Sequence, residues 1–266
     1  MSSSEKIKKT IKQKYGQIAV QSSGCCGSDS TCCSPDSTAY SVFNDEYSHL
    51  PGYVADADLN LGCGLPTQHA GIRDGDTVVD LGSGAGNDVF VARQLVGEKG
   101  RIIGIDMTPE MIALAEQNNQ KLGYKNIEFR LGEIENLPIE NFTTDVVVSN
   151  CVLNLVPDKQ RAFNEIFRIL KPGAHFCISD VVLSGILPEA LKNSAQAYAG
   201  CIAGALQEED YITTIKKAGF SRVEIKQKKI IVLPDSLLAQ YLPEKEIEAY
   251  RNAGSGIFSL TVIGYK

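Results

Sequence analysis

Two groups of residues stand out for the chemistry that their types and spacing allow. One is acidic and glycine-rich: Asp80-Leu81-Gly82-Ser83-Gly84-Ala85-Gly86, followed by Asp106 and by Gly132-Glu133. Glycines after a short apolar run let a chain turn tightly and approach a ligand closely. The spacing here is G-x-G-x-G, whereas a dinucleotide fingerprint wants its third glycine where Asn87 stands. Asp80 adds a negative charge that is unfavourable beside a pyrophosphate but acceptable beside a cationic amino-acid group. Asp106 closes a second apolar run, where a carboxylate can accept both hydroxyls of a ribose. Glu133 follows a third run, where it can accept from an adenine amino group. The alternative is that these are ordinary strand-end acids of an unrelated α/β protein.

The other group is the cysteines, and eight are many for 266 residues. An even count in a small exported protein suggests a disulfide framework, but this chain is not small and opens MSSSEKIKKT, without an apolar leader. Clustered thiols in a reducing cytoplasm point instead to metal binding or redox chemistry. Cys25-Cys26 and Cys32-Cys33 lie in the Ser/Gly-rich stretch SSGCCGSDSTCCSPDST, which cannot bury a core and should be mobile unless its thiols are tied down. Zinc is one reading of it, although C-C-x5-C-C lacks the usual spacing of two to four residues within each ligand pair. Cys177, in HFCISD, reads as a small buried hydrophobe. Cys63 sits between two glycines, in a loop that should be adaptable; Cys151 directly follows a fourth apolar run; Cys201 lies in AGCIAGA.

The elements that must position these groups alternate strand and helix. After a charged amphipathic helix near Glu5 to Ile18, strands are expected at TVVDLG, RIIGID, NIEFRLGE, TTDVVVSN and HFCISDVV. Helices fall between them, at Asn87 to Leu95, from the N-cap Thr108 and Pro109 to Gly123, and from Pro157 to Leu170, stopped by Lys171-Pro172-Gly173. Beyond these come an inserted helix from Pro188 to Leu206, a crossover helix from Glu208 to Lys217, and two closing strands, RVEIKQKKIIVL and GIFSLTVIGYK. The reading is an α/β chain with a Rossmann-like, doubly wound, mostly parallel seven-stranded sheet. Its parts are an N-terminal helix and Cys-rich loop (1–69), a core (70–185), and an inserted cap helix, crossover helix and closing strands (186–266). A net charge of −6 argues against nucleic acid as a partner, and no stretch has the length of a membrane span.

The glycine loop, the second-strand acid and Gly132-Glu133-Ile134-Glu135-Asn136-Leu137-Pro138 together resemble the class I S-adenosylmethionine-dependent methyltransferases over roughly residues 70 to 185. That resemblance implies that the cofactor is S-adenosylmethionine, held by Asp80, Gly82, Ser83, Gly84, Gly86, Asp106, Met107, Glu133, Ile134 and Asn150. The segments LGCG, SNCVLNLVPDKQ, GCIAGAL and QLVGEKGRIIGIDMT are similar to those of arsenite methyltransferases specifically, with Leu61 standing where many members carry tyrosine. This implies an enzyme that methylates arsenite or methylarsenite, with trivalent arsenic bound by Cys63, Cys151 and Cys201. In the family an N-terminal cysteine helps to return oxidised arsenic to the trivalent state. The resemblance therefore points to Cys25, Cys26, Cys32 and Cys33 as redox candidates without choosing among them, with glutathione or thioredoxin as the external reductant. Plain metalloid capture by that loop stays open. Two other readings of the whole chain are a methyltransferase with an organic acceptor of quinone or sterol type, and a non-catalytic protein that sequesters arsenic or heavy metals.

Overall fold

A computed structural model describes residues 3–23, 45–188, 204–239, 242–253 and 255–266. Cys25, Cys26, Cys32, Cys33 and Cys201, with most of the expected inserted helix, lie outside the described residues.

One sheet organises the chain. Strands β1 (Thr77–Leu81), β2 (Arg101–Asp106), β3 (Ile127–Leu131), β4 (Thr144–Asn150) and β5 (Leu170–Ser184) run parallel; β7 (Gly256–Tyr265) pairs antiparallel with β5 and with β6 (Arg222–Ile231). The order is β3-β2-β1-β4-β5-β7-β6, the mostly parallel seven-stranded sheet that the alternation predicts. Successive side chains of a strand point to opposite faces, and the central strands bury both. From β1, Val79 and Leu81 enter one core cluster and Val78 the other. Hence those strands read as unbroken apolar runs.

Helices α5 (Lys159–Ile169) and α6 (Glu208–Lys217) cover the first face through Phe163, Ile166, Tyr211 and Ile215. The second face is covered by α3 (Asn87–Val96) and α4 (Pro109–Leu122), which follow the one-turn α2 (Pro66–His69), with Val89, Phe90, Met111 and Leu114 buried, and α1 (Ser3–Ser23) adds Ala19. Each such apolar side chain contributes about 1.5–3 kcal/mol when fully buried. The connection after β1 leads to β2 and the one after β4 leads to β5 on the other side, so the loops that follow these two paired strands diverge. A crevice opens there, where ligands of open α/β sheets bind.

Several local expectations need correction. α1 is longer than Glu5 to Ile18. α5 ends at Ile169 and β5 begins at once, with Lys171-Pro172-Gly173 absorbed in an irregularity between the pairs Thr144–Leu170 and Val146–His175. Thr108 occupies the N-cap of α4 without a side-chain cap; its N–H is instead taken by Asp106 Oδ1 at 2.8 Å. The inserted helix does not reach Leu206: Gly204 to Leu206 are not helical, and Leu206 C=O accepts from Leu183 N–H at 2.9 Å. A short helix, Asp235–Leu238, and α8 (Glu244–Asn252, the short one being α7) were not expected from the sequence. Among the described residues no helix is long and apolar enough to cross a membrane.

Candidate active site

The turn after β1 shows why its three glycines are glycines. Gly82, Gly84 and Gly86 have φ of 72°, 50° and 100°, a region that costs other residues about 1–2 kcal/mol each. Gly82 and Ser83 donate their N–H groups to Ile105 C=O at 2.7 and 2.9 Å, which pins the turn to β2. A Cβ at Gly82 would collide with Val152, and one at Gly86 would meet the Phe90 and Phe129 rings. At Gly84 nothing lies within 4 Å of where a Cβ would be, so the loop presents bare backbone to open space. That space is a cleft of about 1130 Å3, mouth included, beyond the ends of β1, β2 and β4.

Of the residues expected to hold the cofactor, Asp80, Gly82, Ser83, Gly84, Asp106, Met107, Glu133, Ile134 and Asn150 line this cleft. Gly86 does not; it caps α3 behind the loop. Acids dominate the charged part of the lining. Besides Asp80, Asp106 and Glu133 it includes Asp58, Asp88 and Glu135, against Lys8 as the one basic side chain among the described residues. Burial, then the neighbouring Asp88 and Asp106, push the Asp80 carboxyl well above the carboxylate range. Burial also raises Asp106, opposed by hydrogen bonds from the N–H groups of Thr108 and Gly84. The Asp88 carboxyl is pushed up to about 6, chiefly by burial. Ser83 Oγ and Asn87 Oδ1 are buried here without a hydrogen-bond partner among the described residues. A bare glycine cradle, orphaned polar atoms and an excess of acids fit a nucleoside that carries a cationic amino acid and a sulfonium.

The helix expected near Glu5 to Ile18 closes this cleft, a role that sequence reasoning missed. Lys8, Ile11 and Tyr15, on one face of α1, line it, and Lys8 Nζ donates to Glu133 Oε2 at 2.8 Å and also pairs with Glu135. The i, i+3, i+7 spacing of those three residues was a legible sign of a packed face, but not of what it packs on. Glu133, expected at an adenine edge, is therefore also the anchor of α1. Leu61 lines the cleft where family members carry tyrosine, and Tyr15 brings an aromatic ring to the same cleft.

Beside the cleft lies the thiol region. Cys63 and Cys151 are both buried, at 1% and 4% exposure, and both belong to one apolar cluster with Val181, Leu183, Leu187, Leu233, Leu238 and Ile257. Cys151 lines the cleft; Cys63 is not among its lining residues, although Gly62 is. Cys151 adopts φ 59°, and its N–H donates to Ser179 C=O at 2.8 Å. The Cys63 segment is gripped tightly. Its N–H donates to Asn150 Oδ1 at 3.0 Å, and its C=O accepts from Ser259 Oγ. A Cβ at Gly62 would meet Asn150 Nδ2 at 2.7 Å and one at Gly64 would meet Ser179 Oγ at 2.5 Å. The flanking glycines thus serve close approach, and the expected adaptable loop is a clamped one.

Three further devices hold this region. Tyr47, buried, donates its OH to Asp88 Oδ2 at 2.9 Å, and Asn150 Nδ2 donates to that hydroxyl and to Gly64 C=O at 2.8 Å. Asp180, fully buried on β5, accepts from Val181 N–H at 2.9 Å and Tyr211 OH at 3.2 Å; burial raises its carboxyl to about 7. Lys159 Nζ donates to the C=O groups of Asn154 and Val156, both at 3.0 Å, fixing the turn after Cys151. Cys177, further back along β5, is buried in the core cluster beneath α3 and α4, where burial pushes its thiol up to about 12.

Comparison with known proteins places this geometry. A methyltransferase domain family model matches residues 72–219. An arsenite methyltransferase of Halobacterium salinarum is 40% identical over 94% of this chain and 68% of its own length. The arsenite methyltransferase of Homo sapiens is 34% identical over 89% of this chain and 64% of its own length. The chain thus spans about two thirds of the length of these relatives. Among solved structures, an arsenic(III) S-adenosylmethionine methyltransferase from Chlamydomonas reinhardtii is similar with a TM-score of 0.68 and 33% identity, over 88% of this chain and 75% of that one.

Proposed function

This chain belongs to the arsenite methyltransferase family of S-adenosylmethionine-dependent methyltransferases, and from that premise we propose that it methylates arsenite or methylarsenite bound as a thiolate complex by Cys63, Cys151 and Cys201. The observation that carries this reading is Cys151, which directly follows β4, lines the acid-bearing cleft and shares one apolar cluster with Cys63. Gly204, three residues after Cys201, packs so tightly on Asn154 C=O that a Cβ there would collide, which brings the chain after Cys201 to the turn that follows Cys151.

When bound, S-adenosylmethionine supplies an electrophilic methyl group on a sulfonium. Asp106 and the loop from Gly82 to Gly84 would hold its nucleoside, and Asp80 would face its amino-acid cation. Trivalent arsenic is soft, and thiolates are the soft ligands of proteins. Three of them neutralise it and leave a lone pair that is itself the nucleophile, so no general base is required. The protein acts by holding the two reactants aligned and dry, an effect that can contribute up to about 7–11 kcal/mol. The histidines stand outside this scheme; His175 Nε2 lies 2.5 Å from Ala70 C=O, a structural contact.

Methylation formally oxidises arsenic by two electrons. Two thiols that form one disulfide can supply them; by resemblance to the family that part falls to Cys63 and one of Cys25, Cys26, Cys32 and Cys33, recycled by glutathione or thioredoxin in the cytoplasm. The test is incubation with arsenite, glutathione or thioredoxin, and methyl-labelled cofactor. Label is expected in methylated arsenic; its absence where cofactor binding is confirmed overturns the reading, leaving arsenic sequestration or an organic acceptor.

A further inference from the structure

Asn150 was expected, with its neighbours, to touch the cofactor. The residue does border the cleft, but its carboxamide is committed to other partners. Oδ1 accepts from Cys63 N–H at 3.0 Å; Nδ2 donates to Gly64 C=O at 2.8 Å and lies 2.5 Å from Tyr47 OH and 3.2 Å from Asp88 Oδ2. The amide orientation is dictated by these partners, because a flipped group would set its NH2 against the Cys63 N–H. Asn150 is also the last residue of β4, joined directly to Cys151.

We propose that Asn150 is a positioning residue for the thiol of Cys63, its carboxamide bridging the Gly62–Gly64 segment to the strand end that carries Cys151. The inference rests on the reading of Cys63 as an arsenic ligand. The physical reason is that the cysteine segment has no secondary structure of its own to fix it. Its N–H and the next carbonyl are peptide groups that, once buried, must find partners. A carboxamide supplies an acceptor and a donor from one planar group, so it can grip both sides of one residue. Tyr47 and Asp88 hold the donor half in place, and Asp88 belongs to the first turn of α3, behind the glycine loop. One side chain therefore fixes the spacing of two thiols whose positions depend on segments 87 residues apart.

The test uses the full chain with Asn150→Leu, which removes both halves, Asn150→Asp, which keeps the acceptor and loses the donor, and Tyr47→Phe, which removes only the supporting hydroxyl. Four quantities are read: cofactor affinity, methylation of arsenite, methylation of methylarsenite, and the alkylation rate of each cysteine mapped by mass spectrometry without arsenic. Loss of a buried bridge should lower arsenite methylation by about tenfold or more in Asn150→Leu, with a smaller loss in the same direction for the other two variants. Methylarsenite, which leaves arsenic only two sites for thiols, should fall far less, cofactor affinity should hold, and Cys63 alone should alkylate faster. Parallel loss on both substrates, or weakened cofactor binding of the same size, overturns the proposal. If the wild type methylates neither arsenical, the functional reading has failed, and unchanged Cys63 alkylation in Asn150→Leu would separately dismiss the clamp.

Discussion

The cofactor cleft and the thiol region lie side by side at the ends of the same strands, yet they are built on opposite plans. The cleft is made at the ends of successive strands: a glycine turn after β1, one acid at the end of β2, another beyond β3. Its shape is a property of backbone conformation, fixed by positive φ at Gly82, Gly84 and Gly86. The thiol region is made from distant pieces, and its shape is a property of side-chain bonds: Asn150 and Ser259 on the Cys63 segment, Lys159 on the turn after Cys151. A site of the first kind tolerates changes in what surrounds it, whereas one of the second kind is broken by losing a single clamp.

The sharpest way to break that contrast is to damage each side separately. Cys151→Ser should lower methylation by on the order of a hundredfold or more, as misplacing a reactant does, while cofactor affinity stays near wild type. Gly82→Ala should do the reverse. It forces a Cβ into Val152 at φ 72°, and strain plus overpacking of roughly 2–4 kcal/mol should weaken cofactor binding and lower Tm together. Isothermal titration with the cofactor and radiolabel transfer to arsenic separate the two. If both variants lose both properties alike, the sites are not independent.

That contrast also explains what could be read from the chain. The doubly wound sheet was legible because β1, β2, β4 and β5 are buried on both faces and so must be continuous apolar runs. The acid-glycine motif was legible because a conformation that only glycine adopts cheaply leaves its mark at fixed positions. Asp88, two residues after Gly86, and Tyr47 left no such mark, since a buried carboxylate gripped by a tyrosine 41 residues away is a tertiary fact. Lys8 is hidden for the same reason. Cys63 between glycines suggested mobility, and only the closeness of Asn150 and Ser179 shows that the glycines are there to let it be clamped.

A second prediction concerns the buried acid of the thiol side. Burial holds the Asp180 carboxyl up at about 7 in the folded protein, above the 3.8 of an ordinary aspartate. Between those values the folded protein holds a proton that the unfolded chain has released, so this group makes stability fall as pH rises, by up to ~1.4 kcal/mol per pH unit. Asp180→Asn removes the group and should flatten the loss of stability between about pH 4 and 7, measured by denaturant unfolding. An unchanged slope would mean that the carboxylate is ionised throughout, paired with the neighbouring Lys159.

The smallest expected effect tests whether the cleft is as self-contained as its motif suggests, since α1 closes it through Lys8. That ammonium bridges Glu133 and Glu135, and its side chain is 22% exposed. A partly exposed bridge is worth little, so Lys8→Met, which keeps the apolar stem, should weaken cofactor affinity by only about two- to fivefold. Added salt should erode the wild-type advantage, because screening weakens an exposed pair. Arsenite binding without cofactor should not change, since Lys8 reaches neither cysteine's clamp. A loss as large as that of Gly82→Ala would show that the cleft too depends on a distant side chain, and that the two sites differ in degree rather than in kind.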